Sequence, residues 1–258
     1  MATPDSGSLS IRLRSLRLSA FVEHHEEVAL RAEHEGLGFS QCLGELVELE
    51  LAGREERKVD RLRKRSKLPS DKTLVNLNED RLTSKVKRQL HSLCEGGFAE
   101  RAENVLAFGM PGRGKTHVVS AIGHELVARG ISVLWRPACH LVQQLLVAKQ
   151  ELKLEAELRK LDRYDVLILD DIGYISQNRE EMEVLFTLLA ERYERRSVMI
   201  TSNLVFSQWD RIFKDAMTTA AAIDRLVHHS VILEMTGESY RSGSAKKRQS
   251  EEVTSSAK

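Results

Sequence analysis

Residues 109–116 read G-M-P-G-R-G-K-T, a match to the pattern G-x-x-x-x-G-K-[S/T]. The chemistry such a run can do is phosphate binding. Gly109, Gly112 and Gly114 permit backbone angles that a Cβ forbids, so successive N–H groups can turn inward around a phosphate chain. A helix starting near Gly114 adds its positive end and its free N–H groups. Lys115 then reaches the β- and γ-phosphates, and the Thr116 hydroxyl takes one Mg2+ position. The nucleotide-binding candidates are Gly109, Met110, Pro111, Gly112, Arg113, Gly114, Lys115, Thr116 and His117.

A triphosphate site also needs acids. The run "DVLILDDIG" (165–173) closes an apolar stretch with Asp170 and Asp171, and ligands of an open parallel sheet bind beyond the carboxyl ends of its strands. Asp170 is expected to share the Mg2+ with Thr116, mostly through water. Asp171 is expected to polarise the attacking water as general base. "SVMITSN" (197–203) ends in Thr201, Ser202 and Asn203; Asn203 is the candidate for orienting that water or the γ-phosphate. In "AAAIDRLVHHSVILEM" (220–235), Arg225 falls late in a helical pattern ahead of the last apolar run. From there it could stabilise transition-state charge on a neighbour's nucleotide, or it could pair with nearby Asp224. His228 and His229 have no metal-ligand spacing around them and read as surface or packing residues.

The elements that must position these groups follow from the apolar pattern. Short runs at 104–108, 131–135, 165–170, 197–201 and 231–235 are rich in Val and Ile and show little alternation, as strands covered on both faces do. Helical patterns follow the first four, which implies repeated β-α units, a parallel sheet and helices on both sides. The N-terminal part reads differently. Residues 10–35 read as one helix, "EGLGFS" (35–40) breaks it, and Ser40 is placed to cap a second helix running to Ser66. That helix has an apolar stripe at Leu43, Leu46, Val47 and Leu51 and a nearly all-charged second half, so it projects rather than forming a core by itself. The expected organisation is a helical domain over 1–66, a linker over 67–75, an α/β domain over 76–241 and a disordered tail over 242–258.

Composition sets outer limits. With 258 residues and a net charge of +1, the chain has room for one large domain and an appendage, and its overall charge gives no nucleic-acid signal. Locally basic stretches occur at 54–67 and 245–248; each fits a solvated surface or an interaction patch. The three cysteines are far apart, with no CxxC or HExxH, which argues against a disulfide framework or a zinc site and fits a reducing, cytoplasmic setting. No apolar run is long enough to cross a membrane, and the Arg-Leu alternation near the N-terminus is unlike a secretory signal.

The stretches "FGMPGRGKTH" (108–117), "VLILDDIGYISQNREEMEVLFTLLAERYERRSVMITSNLVFSQW" (166–209) and "AAAIDRLVHHSVILEMTGESYR" (220–241) resemble the IstB-like helper ATPases of insertion-sequence transposition, relatives of the DnaC helicase loader and, more distantly, of DnaA. The resemblance implies an AAA+ fold of the ASCE type with five parallel strands, a small all-α N-terminal domain that binds a partner, and no C-terminal lid. It implies ATP and Mg2+ bound between subunits of a homo-oligomer, with Lys115, Thr116, Asp170, Asp171 and Asn203 from one protomer and Arg225 from the next. It further implies assembly on double-stranded DNA with little sequence preference, and recruitment or stimulation of a transposase. A DnaC-type loader of a replicative helicase is the near alternative, and a small-molecule P-loop kinase the distant one. In the DnaA and DnaC relatives an added helix after the second strand lines the DNA channel. Here "PACHLVQQLLVAKQELKLEAELRKLDRYD" (137–165) reads as two helices, which makes Lys149, Lys153, Tyr174 and Arg179 candidates for phosphate contact. Two features depart from the usual AAA+ pattern: Asp171 stands where most have Glu, and without a lid's sensing arginine Arg241 could substitute or could equally be a surface residue.

Overall fold

The computed structural model describes residues 6–174, 179–204, 208–209 and 216–236. The chain divides into two compact units, Met1–Arg61 and Leu62–Lys258.

The first unit contains α1 (Ser6–Ser15), α2 (Ser19–Glu35) and most of α3 (Phe39–Ser66). Residues 10–35 are therefore not one helix. Arg17 takes a left-handed φ of 56°, and the chain turns between α1 and α2; arginine carries no breaker signal that spacing could reveal. The break at 36–38 is as expected, with Gly36 closing α2 at φ 68°. Ser40 does not cap α3, because the helix already includes Phe39; instead Gln41 reaches back to accept the Gly38 N–H at 3.0 Å. Glu50 joins α2 to α3. It is 4% exposed, accepts the Ala20 N–H at 2.8 Å in the first turn of α2, and takes the Arg54 Nε at 2.8 Å. Of the α3 stripe only Leu46 is buried, while Leu43, Val47 and Leu51 are exposed.

The second unit is built on a five-stranded parallel sheet in the order β2-β3-β4-β1-β5. The strands are β1 (Asn104–Phe108), β2 (Val133–Pro137), β3 (Val166–Asp170), β4 (Ser197–Ser202) and β5 (Ser230–Glu234). Both faces are covered, which is why the strands read as unbroken apolar runs. Leu106, Leu167, Leu169, Val198 and Ile200 point into one core, and Val105, Ala107, Val166, Ile168, Met199 and Leu233 into the other. The second strand starts two residues later than its apolar run suggests, since its pairing with β3 begins at Val133↔Val166. Around the sheet lie α4 (Ser84–Cys94), α5 (Gly97–Glu100), α6 (Lys115–Ala128), α7 (Ala138–Gln150), α8 (Leu154–Leu161), α9 (Arg179–Arg192) and α10 (Ala216–Val227). The two helices expected over 137–165 are α7 and α8.

This strand order sets the site. β1, β4 and β3 are consecutive neighbours, so the glycine loop after β1, Asn203 after β4 and the acidic pair at the end of β3 emerge side by side, strand to strand about 4.8 Å apart. The stretch 67–75 is no free tether. His124 Nε2 meets the Pro69 carbonyl at 3.0 Å and His117 Nε2 the Thr73 carbonyl at 2.9 Å, fastening the segment along α6. Leu68 fits over Gly123, where a Cβ would come within 2.8 Å of Leu68 Cδ2.

Candidate functional site

One close approach and one left-handed backbone angle favour glycine in the loop. Gly109 lies against the last residues of β5, and a Cβ there would strike the Met235 carbonyl oxygen. Gly114 precedes α6 at φ 82°, a left-handed angle that opens the helix N-terminus toward the loop. Lys115 is the first residue of that helix and is 5% exposed. Its Nζ donates to the carbonyls of Gly109 at 2.7 Å and Met110 at 3.1 Å, which holds a buried cation at the loop mouth.

A cavity of about 210 Å3 opens there, lined by Lys72, Pro111, Gly112, Arg113, Gly114, Lys115, Thr116, His117, Asp171 and Asn203. The sequence-predicted groups are thus brought together, with three qualifications. Gly109 and Met110 do not line the cavity, and Met110 is 59% exposed. His117 lines it, but its ring nitrogen is engaged with Thr73. Asp170 is reached through Thr116, whose side chain hydrogen-bonds it.

Around the acids the geometry is tight. The Thr201 hydroxyl donates to Asp170 Oδ1 at 2.7 Å and accepts the Asp171 N–H at 2.7 Å, so one fully buried residue of β4 holds the Asp170 carboxylate and the Asp171 backbone in place. Burial pushes the Asp170 carboxyl above the usual aspartate range, and the neighbouring charge of Asp171 adds to that; the Thr201 and Thr116 hydrogen bonds and the Lys72 charge oppose it. A cation against this carboxylate would relieve the burial cost, so the donor set of one hydroxyl and one desolvated carboxylate suits a hard divalent ion. The Asn203 Oδ1 is buried without a hydrogen-bond partner and belongs to the same cavity, the state of a group reserved for water or substrate. Gly173 leaves it room, because a Cβ there would collide with that oxygen.

Motif reading assigns no role to two participants. Lys72 belongs to the segment fastened along α6, and its arrival in the cavity is a product of tertiary packing. In sequence Thr201 is one of three polar residues closing a strand; its role depends on the β3–β4 register, which pairs Leu169 with Ile200.

Arg225 lies elsewhere. Its guanidinium carbon sits 4.8 Å from the Phe186 ring centroid, and one terminal nitrogen is buried without a partner. The next residue, Leu226, gives its carbonyl to the Asn104 side chain at 3.3 Å. Asn104 begins β1, whereas the glycine loop follows its far end, roughly 16 Å away at about 3.3 Å per residue. Arg225 therefore does not serve its own loop. His228 and His229 are exposed as expected, but Glu194, distant in sequence, joins them, and one potential ligand atom from each of the three lies within 4.8 Å of the others.

The four phosphate-contact candidates are not gathered into one patch. Lys149 pairs with Glu183 at 2.8 Å and Lys153 with Glu151 at 2.8 Å, and each pairing offsets the local positive charge. Arg179 begins α9 and is exposed. The Tyr174 side chain and Arg241 lie outside the described residues.

The profile of the family described as IstB-like ATP binding protein matches residues 11–250. An insertion-sequence ATP-binding protein of Sinorhizobium fredii is 42% identical over 244 residues, covering 94% of this chain and 82% of that protein. The ATP-binding protein of insertion sequence IS21 from Pseudomonas aeruginosa is 39% identical over 236 residues, 90% of this chain and 88% of that one. Among solved structures, DnaI superposes with a TM-score of 0.55 at 21% identity, covering 66% of this chain and 95% of DnaI. AMPPCP-bound DnaA from Aquifex aeolicus superposes at 0.53 and 19% identity, covering 66% of this chain and 51% of that one. These likenesses to solved structures concern the fold, which is that of an AAA+ domain.

Proposed function

The chain belongs to the family of IstB-like ATP-binding proteins, P-loop ATPases of insertion sequences, and on that premise we propose that it assembles on duplex DNA and uses ATP to recruit or stimulate the transposase of its element. The observation that carries the catalytic half of this reading is the Thr201 hydroxyl bonded to the Asp170 carboxylate and to the Asp171 N–H, beside one cavity with an unpartnered Asn203 oxygen and the Lys115 loop.

In this reading the loop N–H groups and Lys115 hold the phosphates, and the lysine exchanges the Gly109 and Met110 carbonyls for phosphate oxygens. Thr116 and Asp170 would hold Mg2+, which would supply positive charge against the phosphates. Asp171 accepts the proton of the attacking water, and Asn203 orients that water. Arg225, too far from its own loop to act there, supplies charge to the nucleotide of an adjacent copy, so hydrolysis belongs to an oligomer. Lys72 adds a second cation beside the acids. Helicase loading is the weaker reading, since likeness to DnaI and DnaC concerns the fold and the sequence relatives are insertion-sequence proteins.

The test is ATP turnover of the purified protein with and without duplex DNA, followed by capture assays against the cognate transposase and a replicative helicase. Stimulation by duplex and capture of the transposase are expected. Turnover indifferent to DNA, or capture of the helicase alone, refutes the proposal.

A further inference from the structure

The basic run at 54–67 takes no part in the nucleotide site, yet its last turn ends in a second cavity. Lys64, Arg65 and Lys67 line a groove of about 430 Å3. From distant parts of the chain, Arg136 of β2, Lys160 of α8 and Arg163 of the turn into β3 line the same groove. The one carboxylate in the lining, Glu157, is already occupied by Lys160 at 2.6 Å and by Gln144. Among the described residues, Lys64, Arg65, Lys67, Arg136 and Arg163 have no acidic partner, and the Arg136 Nε is buried with no hydrogen bond. In a chain of net charge +1 this is a local concentration, not overflow from a basic protein. Six like charges around one concavity repel one another, and its low-dielectric walls focus their field. An anion with several charges relieves both.

We propose that this groove seats the phosphodiester backbone of duplex DNA, a contact separate from the ATP site and from the Lys149 region. The inference rests on the reading of the chain as a protein that assembles on DNA. A line of phosphates fits the groove better than an acidic peptide for two reasons. Three of the six cations are arginines, whose planar forks bind phosphate oxygens two at a time. The six cations also come from three separate stretches, 64–67, Arg136 and 160–163, so the charge is spread along the groove and matches a ligand whose charge repeats along its length. Two neutral polar side chains in the lining are already engaged, Gln144 with Glu157 and Ser132 with Asp165. The contact therefore carries no sequence preference and is steeply salt-dependent.

The test compares the full-length protein with a variant carrying Lys64→Gln, Arg65→Gln, Lys67→Gln and Lys160→Gln, all at exposed positions. The readout is anisotropy of a labelled duplex of mixed sequence, and of its single strand, between about 50 and 200 mM salt. Each lost phosphate contact lowers the slope of log K against log salt by about 0.9, so the slope of the fourfold variant falls by about 3.6 and its duplex affinity at least tenfold at the higher salt. Nucleotide affinity stays unchanged. If the fourfold variant melts early, Lys64→Gln with Lys67→Gln gives the same readout with a slope change of about 2. Wild-type protein that binds duplex with a variant that binds equally well overturns the groove and leaves the DNA reading standing. Wild-type protein that binds no DNA overturns the DNA reading itself, and the groove proposal with it. Loss of single-strand binding alone, or of transposase stimulation with duplex affinity intact, assigns the groove to another polyanion and overturns the proposal.

Discussion

At Asp171 the backbone is left-handed, φ 57°. Aspartate and asparagine tolerate that angle better than residues with longer side chains, which gives a physical reason for Asp where most AAA+ enzymes carry Glu. Asp171→Asn is expected to keep the fold and nucleotide affinity within about twofold while lowering turnover by about 10² to 10⁴, the range a general base contributes; single-turnover hydrolysis and equilibrium binding check it together. Lys115→Ala should weaken ATP binding at least tenfold, since it removes a charge-assisted bond of about 1.5–3 kcal/mol, and fluorescent-nucleotide titration reads the loss. Thr201→Val leaves the Asp171 N–H and Asp170 without their shared partner, at a cost of about 1–3 kcal/mol, visible as a lower Tm and as weaker Mg2+ dependence. The loop and the acids were legible in sequence because each is a contiguous run. Thr201 was seen only as a polar strand end, and Lys72 was not seen at all, because what assigns them is the strand register and the course of a segment along a helix.

Single elements are held by particular groups. Arg192, 2% exposed on α9, donates to the carbonyls of Leu161, Tyr164, Asp165 and Ser197. Burial lowers its pKa to about 10, with Asp162 and Asp165 resisting the fall and Arg196 and Arg195 adding to it. Arg192→Leu strands several carbonyls at once and should cost on the order of 3 kcal/mol or more, read by denaturant unfolding. Glu50 plays a similar part between α2 and α3. Burial alone would raise its pKa, but the bonds from Arg54 and the Ala20 N–H and the charges of Arg54 and Arg57 lower it. A carboxylate depressed in the folded state contributes stability that is complete above its unfolded value near 4.5 and is lost as pH falls through the folded value. The α2–α3 pair should therefore loosen below pH 4.5 in wild type, and Glu50→Gln should flatten that dependence in circular dichroism. The strand runs and both helices of 137–165 could be read from period alone. The turn at Arg17 and the Gly38–Gln41 cap could not, because their residues carry weak local signals and the conformation is selected by packing.

For the molecule as a whole, the boundary between its units decides how it can be divided. Removing residues 1–61 leaves Leu62, Leu68 and Lys72 in place and should preserve basal ATP turnover while abolishing transposase stimulation. Removing residues 1–75 also takes away Lys72 and the carbonyl partners of His117 and His124, and nucleotide affinity should fall about tenfold or more. Isothermal titration of the two truncations separates the cases. Arg225→Ala should bind nucleotide normally yet lose about 10³ in turnover once assembled. The strand β5 then acquires a meaning that its length does not suggest. At its end, Met235 presses on Gly109, and its entry follows directly on the helix that carries Arg225. If copies assemble as proposed, a short stiff rod that touches one phosphate loop at its end and follows the helix of Arg225 at its start would make each site aware of its neighbour's, so ATP turnover should be cooperative, and a Hill coefficient of one would mean the rod is slack.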